Sequence, residues 1–473
     1  MTQSNDKNSN VVSSSEPRKV INFSEEERSK MTSIKELVTK GKEETKAPVQ
    51  TEKPKIQKVP MVLRDHKNFA KFYEPKAVSI GPIHHKNVKL QLDQQHKPRL
   101  VAEFIKESGK TTEELYEKIK AEMEALKLLF DPEVIKDYKD EELSWMLFLD
   151  GCSTLQFIQT IYCIDSEKKM REYNIKSSQV AFAQRDLFLL ENQIPFKVLA
   201  ILIDSSQAKV ELNKSIKIFI QMNVMIPDYK PNDLDINIDK EETTHLLELL
   251  QNLAVRPHSK KEKWSKKLAN YFPNGCRRNV HLGQISFRNV QELKAAGINF
   301  KPSKNCSLKG IDFTSLCFIG WLELPPLVVD DSTGPKLLNM IAYEMCPDNF
   351  RTDYEVSAYV SFLDSLVDSS NDVNDLRSAK ILYNLLGSDE EVALLFNEIA
   401  TELVPCLSFY NQVREKIQRH PGNRVETWMA EAYNTHFRSP WTILAFLGAL
   451  MVLALTFVQT WYAINPPSEN SRN

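Results

Sequence analysis

Two adjacent histidines, His84 and His85, follow Gly81-Pro82 and are by type the residues best suited to catalysis or metal binding, because imidazoles bind metals and move protons near neutral pH. Their adjacency argues against one shared site. On a strand neighbouring side chains point to opposite faces, and on a helix they diverge by about 100°, so only an irregular loop lets both converge. No HExxH or comparable partner spacing accompanies them. Structural hydrogen bonding is the favoured reading, and a hydrolase or transferase built on the His84/His85 region is the alternative.

Asp330 and Asp331 follow the apolar run LPPLVV and could form a carboxylate pair at a strand end. Ser332 and Thr333 come next, so the simpler reading is N-capping of a helix over 336–345, where short oxygen side chains meet free backbone N–H groups. Glu191, Asn192 and Gln193 sit between Leu190 and Ile194-Pro195. Polar groups in so apolar a setting must be hydrogen-bonded, which points to a buried network satisfying the Pro195 bend. The basic run KKEKWSKK, with Lys260, Lys261, Lys263, Lys266 and Lys267, suits anionic lipid headgroups or, more simply, a solvated loop. One tryptophan within it is weak evidence for stacking on bases, and no nucleic-acid partner is expected. Serine-nucleophile elbows, Walker loops and dinucleotide fingerprints are absent. No catalytic residue, cofactor site or metal site is therefore assigned.

The elements that must position these residues read as mainly α. Thr111 and Glu114 form a capping box ahead of a helix reaching Phe130, and a second helix runs over 141–163. The nearly continuous apolar stretch 182–203 is expected as helix, bend and helix, broken at Gln193 and Pro195. A polar, variable middle covers about 227–304 and holds one helix at 243–253. Short apolar runs separated by Gly320 predict a small β element near 310–330. Asp389 to Glu391 then supply acids to the first turn of a further helix.

With 473 residues, 42% hydrophobic and 26% charged, the chain can bury a large core, and its net charge of -2 gives no general pull toward nucleic acid. Residues 1–57 are rich in Ser, Asn, Lys and Glu and read as a disordered arm, within which Ser24, Glu27, Met31 and Ile34 could form a short helix. Seven widely spaced cysteines without a CxxC read as reduced core residues rather than a disulfide or zinc framework.

The run from Trp441 to Ile464 carries no formal charge and predicts a single transmembrane helix over 441–464, followed by a short tail, 465–473. Trp441, Trp461 and Tyr462 are placed as interfacial anchors and Arg438 as a flanking cation, so the bilayer is itself an expected partner. Without an apolar segment near Met1, this predicts a tail-anchored, single-pass protein with most of its mass in the cytosol. The glycosylation-type triplets at Asn22, Asn213 and Asn305 should then carry no sugar. Span length suits the plasma membrane better than the endoplasmic reticulum.

Four blocks bring a family resemblance. They are VPMVLRDHKNFAKFYEPKAVSIGPIHH (Val59 to His85), RDLFLLENQIPFKVL (Arg185 to Leu199), LPPLVVDDSTGPKLLNMIAYEMC (Leu324 to Cys346) and LGSDEEVALLFNEI (Leu386 to Ile399). In this order, ahead of the C-terminal apolar run, they resemble the land-plant family called domain of unknown function 247. The chain departs from the family pattern at Lys86, directly after the histidine pair, and at Ser153, Thr154 and Gln156. The resemblance implies a plant protein with a C-terminal membrane anchor and no established catalytic activity, and for some grass members a genetic association with self-incompatibility. The resulting expectation is a helical cytosolic domain over 58–438, tethered to a membrane and recognising protein partners in signalling.

Overall fold

The structure, a computed structural model, describes residues 53–65, 67–91, 96–163, 165–227, 242–256, 289–304, 307–316, 319–350, 352–401, 403, 409–420 and 440–464, together with residues 25 and 32. It forms two compact units, Met1–Glu52 and Lys53–Asn473. In the first, Glu25 and Thr32 are helical and exposed. Ser24, Glu27, Met31 and Ile34 lie outside the described residues.

The second unit is mainly helical. Its helices of eight or more residues are α1 (Lys97–Ser108), α2 (Thr112–Ala121), α3 (Asp140–Ile161), α4 (Ser177–Asp186), α5 (Phe196–Ser205), α6 (Lys209–Asn223), α7 (Leu246–Val255), α8 (Thr333–Glu344), α9 (Glu355–Asp364), α10 (Ser370–Ser378), α11 (Asp389–Ala400), α12 (Asn411–Gln418) and α13 (Pro440–Ile464). Caps set several of their starts. Thr111 and Glu114 close the capping box that opens α2, Ser369 and Asp372 do the same for α10, and Ser388 accepts from the Glu391 N–H ahead of α11. The helix expected to reach Phe130 ends at Ala121, because Leu115 and Ile119 are buried here while a separate turn, Met123–Lys127, carries Met123 and Leu126 inward.

Helix α3 runs through the centre. It is buried on nearly every side, from Leu143 to Thr160, and packs against α1, α2, α5 and α6. Gly151 lets α5 approach closely, since a Cβ there would come within 2.7 Å of Leu202 and 2.9 Å of Val198. The stretch 187–195 between α4 and α5 is not helical, and Pro195 caps α5. Ile56 is fully buried, donating its N–H to Leu129 and accepting from the Asp131 N–H. The folded unit therefore takes in residues that the sequence reading leaves in the arm.

Among the described residues five short strands complete it: β1 (Ile298–Pro302), β2 (Asp312–Leu316), β3 (Ile319–Leu324), β4 (Leu327–Val329) and β5 (Leu382–Asn384). β3 lies between β1, to which it is parallel, and antiparallel β2. The small β element expected near 310–330 is thus joined by a third strand from upstream, and Gly320 lies within β3 rather than between strands. β4 pairs in parallel with β5, which sequence periodicity did not reveal because β5 has three residues.

The expectation of a transmembrane anchor is corrected. Among the described residues, no helix is long and apolar enough to cross a membrane. Helix α13 forms over the apolar run as Pro440–Ile464. The single-pass and tail-anchored readings, the membrane and cytosolic placements, and the choice of plasma membrane over endoplasmic reticulum lose their basis with it. Trp461 is exposed. Arg438, residues 465–473 and the side chains of Trp441 and Tyr462 lie outside the described residues.

Candidate functional site

The polar residues of the first two blocks meet in one hydrogen-bonded assembly. Residues 76–81 belong to no helix or strand, so their backbone groups need partners from elsewhere. Asp186, at the end of α4 and fully buried, accepts the N–H groups of Lys76, Ala77 and Val78 at 2.8, 2.6 and 3.2 Å through one carboxylate oxygen. Its other oxygen pairs with Arg185 at 2.8 Å. Burial raises the Asp186 carboxyl above its ordinary range, opposed by these donors.

Asn192 continues the pattern. Its Oδ1 accepts from Ile80 N–H at 2.7 Å, and its Nδ2 donates to the carbonyls of Val78 and Asp186 at 3.0 and 2.9 Å. Asp150 of α3 takes the Gly81 N–H at 2.7 Å and pairs with Lys97 Nζ at 2.5 Å, which also donates to the Ser79 carbonyl. Gly81 has φ +77°, and a Cβ there would collide with the Gln193 carbonyl oxygen. The Gln193 amide donates to the carbonyls of Leu187 and Leu189 at 2.9 and 2.8 Å, closing the irregular turn before Pro195.

Glu191 binds the beginning of the same block. Its Oε1 accepts the Val59 N–H at 2.8 Å and pairs with Arg64, while Oε2 lies 3.4 Å from His84 Nε2. His85 goes elsewhere: its ring stands edge-on to Tyr138, centroids 6.3 Å apart, and Tyr138 donates to the Pro82 carbonyl at 2.8 Å. The two imidazoles therefore have different neighbours. Among the described residues no group of three or more His, Cys, Asp or Glu side chains is placed to hold a metal ion. Cys152 and Cys346 are buried with thiols pushed up by burial, and Cys163 is partly exposed; all three are free.

Asp330 sits in a different place. Its Oδ1 accepts from the Ser332 N–H at 2.9 Å, the Ser332 hydroxyl at 2.7 Å and the Thr333 hydroxyl at 3.0 Å, fixing the turn that leads into α8. Burial alone would raise its carboxyl, but the Lys336 charge and these donors hold it below the usual range. Asp331 is exposed beside it. Both line an open groove of about 1110 Å³ whose walls include Phe182, Arg185, Lys336 and Leu394 but neither histidine. Lys260, Lys261, Lys263, Lys266 and Lys267 lie outside the described residues.

Several residues escaped the sequence reading. Asp186, Asp150 and Lys97 stand alone in apolar or helical contexts, where spacing gives no hint that each serves a backbone far away in sequence. Asn339 links three blocks: Oδ1 accepts from Leu190 N–H at 2.8 Å and Nδ2 donates to the Phe72 and Pro335 carbonyls at 2.9 and 2.7 Å. Its isolation among apolar residues of α8 was the available signal. Glu344, also buried, accepts from Val356 N–H, Ser357 N–H and the Ser357 hydroxyl at the start of α9.

A helical unit whose buried acids and amides hold a long irregular segment in place defines a class by its internal scaffold rather than by a reactive centre. The chain belongs to the plant family DUF247, described as plant protein of unknown function, whose sequence profile matches residues 56–455. It is similar to the UPF0481 protein At3g47200 of Arabidopsis thaliana, 30% identical over 421 residues and covering 83% of each chain. It is also similar to the putative UPF0481 protein At3g02645 of the same plant, 27% identical over 177 residues, which is 37% of this chain and 33% of the relative. No solved structure matches.

Proposed function

We propose that this protein is a recognition component that binds other proteins, rather than a catalyst. The observation that carries the reading is the commitment of Glu191, Asn192, Asp186 and Asp150 to backbone groups, salt bridges or both, which leaves the most enzyme-like blocks serving the fold. The groove beside them offers exposed apolar side chains instead, with Phe182, Met222 and Leu394 each at least 45% exposed along its walls. A role in recognition also agrees with what the family resemblance implies for some grass members.

Quantitative proximity labelling in plant tissue tests the proposal. The labelled protein set should survive His84→Gln and His85→Gln unchanged and shrink on Phe182→Glu at the groove wall. Loss of the set in the histidine variants, at unaltered stability, would overturn the reading. That result would favour the hydrolase or transferase alternative, for which the 3.4 Å approach of His84 to Glu191 is the supporting observation.

A further inference from the structure

Lys336 is 5% exposed yet lines the groove, and its Nζ makes no hydrogen bond or ion pair among the described residues. The ammonium lies 5.8 Å from the Phe188 ring centroid, and Asp330 acts on it only through space. The side chain is buried but Nζ opens onto the groove, so an anion entering there meets an ammonium that no protein acceptor already occupies. The acids around it are otherwise engaged. Asp330 serves Ser332 and Thr333, Glu398 holds Lys71 at 3.1 Å, and Glu391 accepts from the Gly387 N–H at 3.1 Å; among the described acids lining the groove only Asp331, at the exposed rim, has no such bond. Arg185 adds a second buried cation along the groove, and its Nε also lacks an acceptor.

We propose that the groove receives an acidic peptide of a partner protein, its carboxylate docking on Lys336 Nζ and its apolar neighbours packing on Phe182, Met222 and Leu394. The inference rests on the protein-recognition reading and specifies its site and chemistry. Burial pulls the Lys336 ammonium down to about 8, opposed by Asp330, so the amine remains largely protonated at neutral pH and able to bind an anion. A carboxylate in the groove supplies the acceptor the fold withholds.

The test uses the full-length protein on paired arrays of amidated seven-residue peptides, random except for a central Glu in one array and Gln in the other. Wild type should retain the Glu array about tenfold more strongly than its Gln twin, the scale of one charge-assisted contact. Lys336→Met, checked by its thermal midpoint, should retain both alike. Leu394→Glu changes an exposed wall residue without touching the core and should suppress the Glu array by supplying a competing carboxylate. Equal retention of both arrays by wild type, no retention of either, or a Glu preference that survives Lys336→Met would overturn the inference. Any of these, with the proximity-labelled set still sensitive to Phe182→Glu, leaves the recognition reading standing. Insensitivity of that set to Phe182→Glu removes the recognition reading itself.

Discussion

Removing the Asp186 carboxylate tests whether the irregular first block is held by side chains rather than by packing alone. In Asp186→Ala the buried Ala77 N–H loses its acceptor, a loss of about 1–3 kcal/mol. The N–H groups of Lys76 and Val78 are partly exposed, so water replaces much of what they lose. Arg185 loses its 2.8 Å partner, and because it lines the groove its cost falls below the roughly 3–5 kcal/mol of a fully buried orphaned ion. The sum is about 2–6 kcal/mol, a large part of the roughly 5–15 kcal/mol that ordinarily separates folded from unfolded protein.

Asp186→Asn separates charge from geometry. Its one remaining oxygen can still face Ala77 and Lys76, while the amide nitrogen cannot accept from Arg185, so the loss should be about 1–2 kcal/mol. Urea denaturation gives the global change, and amide hydrogen exchange gives the local one. Exchange should accelerate at Ala77 and less at Ile80 and Gly81, which have their own acceptors in Asn192 and Asp150. The reasoning is refuted if Ala77 stays as protected in Asp186→Ala as in wild type, or if Asn is as damaging as Ala.

Three further outcomes follow from the same geometry. Gly81→Ala combines a left-handed backbone with a collision at the Gln193 carbonyl and should lower stability by at least about 2 kcal/mol in urea titrations, with a loss below 0.5 kcal/mol contradicting it. Burial pushes the Glu344 carboxyl up to about 7 from 4.5, so the folded state binds the extra proton and stability should fall between about pH 4.5 and 7, by up to roughly 3 kcal/mol. Subtracting the pH profile of Glu344→Gln should isolate that fall, and a flat or rising difference would reject it. Lys336 is opposite in sign: its folded state releases the proton first, so stability should rise by about 3 kcal/mol between about pH 8 and 10.5. Lys336→Met should lack this rise in urea midpoints, and parallel profiles would count against it.

Much of the helical fold was legible because it is local. The Thr111 capping box, the acids opening α11 and the apolar periodicity of α3 each declare a helix within a few turns of sequence. The buried network of Glu191, Asn192 and Gln193 was legible too, since polar groups among leucines must find partners. Their partners were not. Asp186 reaches back 109 residues to Ala77, and Asn339 reaches 267 to Phe72, separations over which no periodicity operates. The three-residue strand β5 and its parallel pairing with β4 were invisible for the same reason. At the C-terminal run the expectation fails instead: a charge-free stretch with aromatic ends and a flanking cation reads as a span, and among the described residues no helix meets the length and apolarity required.

The blocks that carry the family resemblance therefore acquire one physical meaning. Asp186, Glu191 and Asn192 of the second block bind the backbone of the first, Asn339 of the third binds Leu190 of the second and Phe72 of the first, and Glu398 of the fourth binds Asn68 and Lys71 of the first. A backbone segment with no helix or sheet ladder of its own must have its N–H and C=O groups satisfied by side chains. That requirement places acids and amides at positions that look catalytic in sequence. It also isolates the exception. Lys336, in the third block, faces the groove beside this scaffold without an acceptor from it, so any ligand chemistry in these blocks should be sought first at that amine rather than at the histidine pair.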